Sequence, residues 1–326
     1  MRAETTPRAG GCDRVIALAV RACAKVNLVL RVGPLRADGY HDLATLMAPI
    51  DLADEVVVRV TPGRAGPVTC RVPGRPDLDG PSNLAARAAE IFRARFGVRD
   101  AVSIRIVKHI PVVAGLGGGS ADAAAALRAL ARACRIRDRA GLAAAALEVG
   151  SDVPFFLAKG PAWAEGRGER LRPALVPPLH LVVLYPRDPH LAIRAGDAYR
   201  WLDASRRAGS SPVPLRPSLH PPFTSRLMQN DLQGPCFDRY PMLKSLSQHL
   251  VGAGATRAMM SGSGPSIFGI FGRRAEAVLA AGRLSGIEAG VEFHVVRTLQ
   301  RHPGVTPWKS PRSASSPSPK RSSRPT

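Results

Sequence analysis

At 326 residues, with 45% hydrophobic and 5% aromatic content, the chain can bury a sizeable core and is expected to divide into two domains. Neither an apolar run approaching eighteen residues nor a signal-peptide cleavage region is found, so no membrane partner is expected and the location is read as cytoplasmic. The formal charge of +21 suggests nucleic acid, but the last eighteen residues hold five Lys/Arg and no acid, and the other arginines lack interleaved aromatic stacking platforms, so no specific nucleic-acid partner is expected.

Residues 15–20 (VIALAV) read as a strand. In RACAKVNLVLRV, which follows, Ala24, Val26, Leu28 and Leu30 alternate against Lys25, Asn27 and Arg31, as in a second strand. Asp38-Gly39 marks a turn, and EVVVRV (55–60) another strand. After a Pro/Gly-rich excursion at 61–80, Leu84, Ala88, Ile91 and Phe92 fall at helical spacing, with Gly97 as the stop. SIRIVKHIP (103–111) alternates as a strand into a glycine turn. A helix is expected over 120–133, with Ser120 and Asp122 placed for capping or as a first-turn acid.

A shorter helix covers 138–148 and is interrupted at Gly150–Pro154. PPLHLVVLYP (177–186) precedes a change of composition, which sets a domain boundary near 178: an N-terminal domain over 1–178 and a C-terminal domain over 179–300. Residues 205–223 read as an exposed insertion, 257–272 as a hairpin-like unit and 273–284 as a helix. The Ser/Pro-rich basic stretch over 301–326 reads as a disordered tail. Five cysteines (Cys12, Cys23, Cys70, Cys134, Cys236) are spread without a CxxC pair, which suggests reduced thiols and no zinc cluster.

Four glycines in five positions, in VVAGLGGGSADAAAALRAL (112–130), need a backbone reason. Either a tight strand-to-helix turn or an anion cradle of inward N–H groups would supply one. GLGGGS lacks the Lys-Ser/Thr ending of a Walker A loop and the spacing of a dinucleotide fingerprint. Phosphate would therefore meet backbone amides, with the Ser120 hydroxyl as the nearest side-chain donor. Charge and base would come from elsewhere in the chain. Lys25 is a candidate cation or a solvent-facing strand residue, and Asp152 a candidate base or a turn acid. Tyr40 and His41 could stack on or hydrogen-bond to a flat base, or sit solvated beside their turn. SGSGPS (261–266) is a second nest or a tight hairpin.

In combination these segments resemble one family. ACAKVNLVLRV, RADGYHDLATLMAPIDLADEV, IPVVAGLGGGSADAAAALRAL, EVGSDVPFFLAKGPAWAEGRGERL, MQNDLQGPCFDRYP and MMSGSGPSIFGIF appear in the order seen in the 4-diphosphocytidyl-2-C-methyl-D-erythritol kinases. That family lies within the galactose, homoserine, mevalonate and phosphomevalonate kinase superfamily, and the likeness spans roughly residues 17–298. The resemblance implies an α/β two-domain small-molecule kinase, with an N-terminal ribosomal-protein-S5-like domain, a C-terminal α/β-sandwich domain and ATP between them. The implied reaction is transfer from ATP, with Mg2+, to the 2-hydroxyl of a cytidyl diphospho-sugar alcohol in non-mevalonate isoprenoid synthesis.

The implied triphosphate loop is Pro111, Val112, Val113, Ala114, Gly115, Leu116, Gly117, Gly118, Gly119, Ser120 and Ala121. Asp152 matches the carboxylate that handles the hydroxyl proton, Lys25 the lysine beside it, and Asn27 a residue positioning the acceptor. Tyr40, His41 and Lys108 match the cytidine region. No direct side-chain metal ligand is implied, and a monomer or weak homodimer is expected. The chain departs from the pattern at Cys23, where the family has proline, and at Arg194-Ala195, where it has a Ser-Thr pair ahead of a helix. A related kinase with another alcohol acceptor and a nucleotide-binding regulatory paralogue are the alternatives.

Overall fold

The computed structural model describes residues 15–207, 221–285 and 290–309. Two sheets, each covered by helices, meet face to face. The first sheet is built on two long antiparallel strands, β1 (Ile16–Leu35) and β2 (His41–Ala65). Each is one continuous element where alternation suggested shorter pieces. The β1–β2 register shifts between Cys23 and Lys25 and again between Asn27 and Val29. Such irregularities bend a ribbon and re-aim its side chains. Here they flank Lys25 and Asn27, which are both 4% exposed. Of the two readings open for Lys25, the solvent-facing one is excluded: Lys25 and Asn27 are turned into the protein.

Beyond β2 the sheet continues through β4 (Asp100–Val107) to β3 (Val68–Arg71). β5 (Ala162–Gly166) pairs with another stretch of β2 and with β6 (Arg170–Pro173). Against this sheet pack α1 (Leu84–Phe96), α2 (Gly118–Ala133), α3 (Arg139–Val149) and the five-residue α4 (Val153–Leu157). Helix α1 begins where Asn83 accepts from the Ala85 N–H and ends at Gly97 in the left-handed region, φ 66°, the conformation glycine adopts most cheaply. Helix α2 is buried nearly all round by alanines, which let its neighbours approach closely.

The second sheet is antiparallel in the order β11 (Val291–Arg297), β7 (His180–Pro186), β10 (Ile267–Phe271), β9 (Arg257–Met260). It packs with α5 (Ala195–Arg207), α6 (Gln233–Arg239), α7 (Pro241–Gly252) and α8 (Arg274–Ser285). A separate core of Val26, Leu28, Leu46, Leu116, Leu181 and Phe268, among others, seals one sheet onto the other. The short β8 (Gln229–Asn230) leaves the second half of the chain to pair in parallel with β1.

The chain end corrects the expectation of a tail from residue 301. β12 (Val305–Pro307) pairs with Leu18–Val20 of β1, the Trp308 N–H donates to Ala17 O, and the Arg59 guanidinium lies 4.4 Å above the Trp308 ring. Composition hid this because Val305 and Trp308 are the last large apolar residues before the Ser/Pro-rich run. The rest of that tail, most of the 205–223 insertion and Cys12 lie outside the described residues. The other four cysteines are free, and no described helix is long and apolar enough to cross a membrane.

Candidate active site

A cavity of about 690 Å³ opens between β1, β2, the glycine loop ahead of α2, the start of α4, the start of α5 and the 261–264 loop. That is within the range of small-molecule sites. Candidate residues named from the sequence line it: Lys25, Asn27, Tyr40, His41, Gly115, Gly117, Ser120 and Asp152, joined by Gly262 and Ser263 of SGSGPS.

Lys25 Nζ donates to Asn27 Oδ1 at 2.5 Å and to Gly115 O at 2.9 Å, and stands 3.8 Å from Asp152 Oδ2. Asn27 is held in turn. Its Nδ2 donates to Thr45 Oγ1 at 2.9 Å, and the Thr45 hydroxyl donates to Val29 O at 2.6 Å. This chain fixes which end of the Asn27 amide meets the lysine. Burial pushes the Lys25 ammonium below its ordinary value, and Asp152 pulls it partly back. Asp152 precedes α4 and makes no capping hydrogen bond, and its side chain is 44% exposed. Its carboxylate therefore faces the cavity and is not spent on a turn.

The glycine loop is gripped from the second sheet. Tyr185 OH donates to Val112 O at 3.2 Å, the Ser266 N–H to Ala114 O at 3.3 Å, and Ser261 Oγ to Gly115 O at 3.1 Å. Gly115 and Gly117 have φ of 73° and 72°, and at Gly117 a Cβ would stand 2.8 Å from Phe156 Cζ and 3.2 Å from Lys25 Cγ. These two positions need glycine for conformation and for space. Gly118 and Gly119 already belong to α2. Gly117 is the residue ahead of α2 and supplies no side-chain cap, and Ser120, in the first turn, lines the cavity. Of the remaining loop residues, Leu116 and Ala121 are core, and Val113 is half-exposed at φ 55°, a strained value for a branched side chain. Pro111, Val112 and Ala114 support the loop from behind the lining.

Lys108 is not brought together with Tyr40 and His41 at the cavity. It is absent from the cavity wall, and its Nζ is bound between Asp54 and Asp122, the latter at 2.8 Å. Asp54 also accepts from the His109 and Ile110 N–H groups at 2.6 and 2.8 Å, which fixes the entry to the glycine loop. Asp122 thus serves this buried cluster and not the helix cap; burial raises its carboxyl to about 8, against the pull of Lys108. The partner Asp54 stands 54 residues before Lys108, and local spacing carries no sign of it.

His41 is 8% exposed. Its Nδ1 meets Gly33 O at 2.9 Å, its Nε2 lies 3.3 Å from Asp203 Oδ2, and its ring stacks on Tyr199 at 5.4 Å. Both ring nitrogens are occupied, so the ring acts as a wall. Tyr40 is 49% exposed with the Arg167 guanidinium 4.2 Å from its ring centroid. Arg167, Tyr199, Arg200 and Asp203 line the cavity and were not singled out from the sequence. Arg167 sits in GRGE, and Tyr199 and Asp203 share one helix face at i, i+4 spacing. Ala195, in the departure from the family pattern, and its neighbour Gly196 also line the cavity, and the Arg194 carbonyl accepts from the Asp197 and Ala198 N–H groups in the first turn of α5.

Residues 83–160 match the family described as GHMP kinases N terminal domain, and 224–287 match GHMP kinases C terminal. The chain is 66% identical over 313 residues to the 4-diphosphocytidyl-2-C-methyl-D-erythritol kinase of Anaeromyxobacter dehalogenans (strain 2CP-C), covering 95% of this chain and 99% of that one. It is 39% identical to the protein of the same name from Geobacter metallireducens, over 81% of this chain and 92% of the relative. A solved structure of 4-(cytidine 5'-diphospho)-2C-methyl-D-erythritol kinase superposes with a TM-score of 0.66 at 33% identity, over 86% of this chain and 99% of that one. At these identities and coverages, this chain belongs to the 4-diphosphocytidyl-2-C-methyl-D-erythritol kinase family.

Proposed function

We infer that the chain transfers the terminal phosphoryl group of ATP to the 2-hydroxyl of 4-diphosphocytidyl-2-C-methyl-D-erythritol, a step of non-mevalonate isoprenoid precursor synthesis. The observation that carries this reading is the Lys25–Asp152 pair set beside the glycine loop, in a cavity whose far side presents Tyr40 and Arg167. Asp152 is the only carboxylate within 4 Å of Lys25 among the described residues. It accepts the proton of the acceptor hydroxyl as the oxygen attacks phosphorus. Lys25 holds positive charge where negative charge gathers on the transferring group, and Asn27 and the Gly115 carbonyl keep its ammonium in place. The N–H groups at the start of α2 and the Ser120 hydroxyl face the phosphates. The half-exposed Tyr40 ring offers a stacking surface for cytosine, and Arg167 a positive charge for the diphosphate.

The family's use of ATP implies Mg2+. Phosphate oxygens would carry most of that ion's coordination, with Ser120 Oγ and the Asp152 carboxylate, both on the cavity wall, as the protein oxygens available to it. When bound, the ion neutralises phosphate charge.

The test is coupled ADP release with ATP and, in turn, the cytidyl sugar alcohol, mevalonate and homoserine. Turnover confined to the cytidyl substrate supports the reading. Turnover only with another alcohol reassigns the acceptor, and nucleotide binding without turnover points to a regulatory paralogue.

A further inference from the structure

Asn230 sits on β8, whose two residues pair in parallel with Val29 and Leu30 of β1, the strand that carries Lys25 and Asn27. Its side-chain amide is buried and engaged at both ends. Nδ2 donates to Met260 O and to Gly262 O, both at 2.8 Å, and Oδ1 accepts from the Leu232 N–H at 3.0 Å. Asn230 is not part of the cavity wall, whereas Gly262 and Ser263 are. At Gly262, φ +57°, an added Cβ would stand 3.1 Å from both Gly115 O and Lys25 Nζ, and 3.2 Å from Asn27 Oδ1. The 261–264 loop thus presses directly on the groups that hold the lysine. Ser261 Oγ completes the contact by donating to Gly115 O, the carbonyl that also receives Lys25 Nζ.

We propose that Asn230 is a positioning residue for phosphoryl transfer: its amide seats the 261–264 loop on Lys25 and Asn27, and so sets the wall against which the acceptor hydroxyl and the phosphoryl group meet. The proposal rests on the kinase reading above. The position calls for two donors and one acceptor on one short side chain, which the Asn230 amide supplies. Asn230→Asp, the nearest isosteric change, would bring a second acceptor oxygen against two carbonyl acceptors. Burial and those carbonyls favour the protonated form of the new side chain, and a protonated carboxyl restores one of the two lost donors.

The test uses the full chain with Asn230→Asp and, separately, Ser261→Ala. It measures kcat and KM with ATP and the cytidyl substrate from pH 6 to 8.5, ATP affinity by calorimetry, and Tm. At pH 8, Asn230→Asp is expected to lower kcat by about tenfold or more, the effect of losing two buried hydrogen bonds that seat the loop lining the reacting centre. ATP affinity should change much less, and the deficit should narrow toward pH 6. Ser261→Ala should lower kcat several-fold with the same sparing of ATP affinity. A deficit independent of pH, one shared equally by ATP affinity, or near-normal kcat in folded Asn230→Asp overturns the proposal. Should Asn230→Asp fail to fold, Ser261→Ala decides, and unchanged kcat there overturns it. A parent chain that releases no ADP with the cytidyl substrate overturns the kinase reading itself, whereas an active parent with unaffected variants overturns only the role of Asn230.

Discussion

Lys25 and Asp152 stand 3.8 Å apart in unequal surroundings: the lysine side chain is 5% exposed and the aspartate 44%. Burial lowers the Lys25 pKa from 10.5, and Asp152 partly restores it. The charged lysine is present below its lowered value and lost as pH rises through it, so the alkaline limb of kcat/KM should fall below 10.5. Stability responds with the opposite sign. Between the lowered folded value and 10.5 the unfolded chain binds the proton and the folded chain does not, so the Lys25 contribution rises with pH. A pH–rate profile run beside thermal melts checks this, and activity lost only together with the fold contradicts it.

Asp152→Asn should leave the fold and ATP affinity nearly intact, because the carboxylate caps nothing and is half-exposed. Turnover should drop by roughly 10²-fold or more, the order expected when a positioned proton acceptor is removed. Single-turnover kinetics with saturating ATP and cytidyl substrate measures it. Near-normal turnover of folded protein removes Asp152 from the chemistry.

The glycines divide into two kinds, and Gly119→Ala separates turn from cradle. Gly119 is exposed, lies in α2 and has only the flexible end of Leu84 within reach, 3.2 Å from an added Cβ. Stability should stay level or rise by about 1 kcal/mol from helix propensity. ATP affinity should weaken by about tenfold, roughly 1.4 kcal/mol, if backbone N–H groups there meet phosphate. Unchanged calorimetric affinity would make the loop a turn only. Gly117→Ala is different. Its positive φ and the Phe156 ring make loss of stability the expected outcome.

His302 is wedged edge-on against Phe155 and Phe156, at 5.3 and 5.8 Å, and burial, aided by Arg128, lowers its pKa from 6.5 to about 4. A histidine held neutral contributes stability above 6.5 that is lost as pH falls from there toward 4. The loss is roughly 3 kcal/mol at full effect. His302→Leu should flatten that part of the Tm-against-pH curve, and an unchanged slope would place the acid sensitivity elsewhere.

Ending the chain after Lys309 should shift Tm by no more than about 2 °C, since the residues removed carry no apolar side chain larger than alanine or proline. Ending it after Gln300 removes β12, the Arg59–Trp308 contact and the carbonyls of Pro303 and Val305 that Arg128 and Arg132 hold. Tm should then fall well beyond that. Equal melts for the two truncations would show that the returning strand contributes nothing.

Contiguous residues determined much of this protein. Helical spacing with Gly97 as the stop specified α1, and the glycine cluster before an alanine run announced α2. Alternation marked the strand cores, and the order of the motifs identified the kinase family and made Lys25 and Asp152 its site candidates. Those signals are legible because capping, turn chemistry and periodicity act over a few residues. Tertiary structure alone decided the rest. It sent Lys108 to Asp54 and Asp122 and not to the cavity, stacked His41 on Tyr199, and buried the polar face of β1. It also aimed Gly118, whose place in the glycine cluster suggests a side chain there would intrude on phosphate, at Ile110 and Lys108. Finally, it locked the 261–264 loop onto the glycine loop through Ser261 and Asn230. Apart from the Gly118 contacts, these outcomes join residues well separated along the chain. The partner in such a pair is chosen by packing and strand register, which no local pattern encodes.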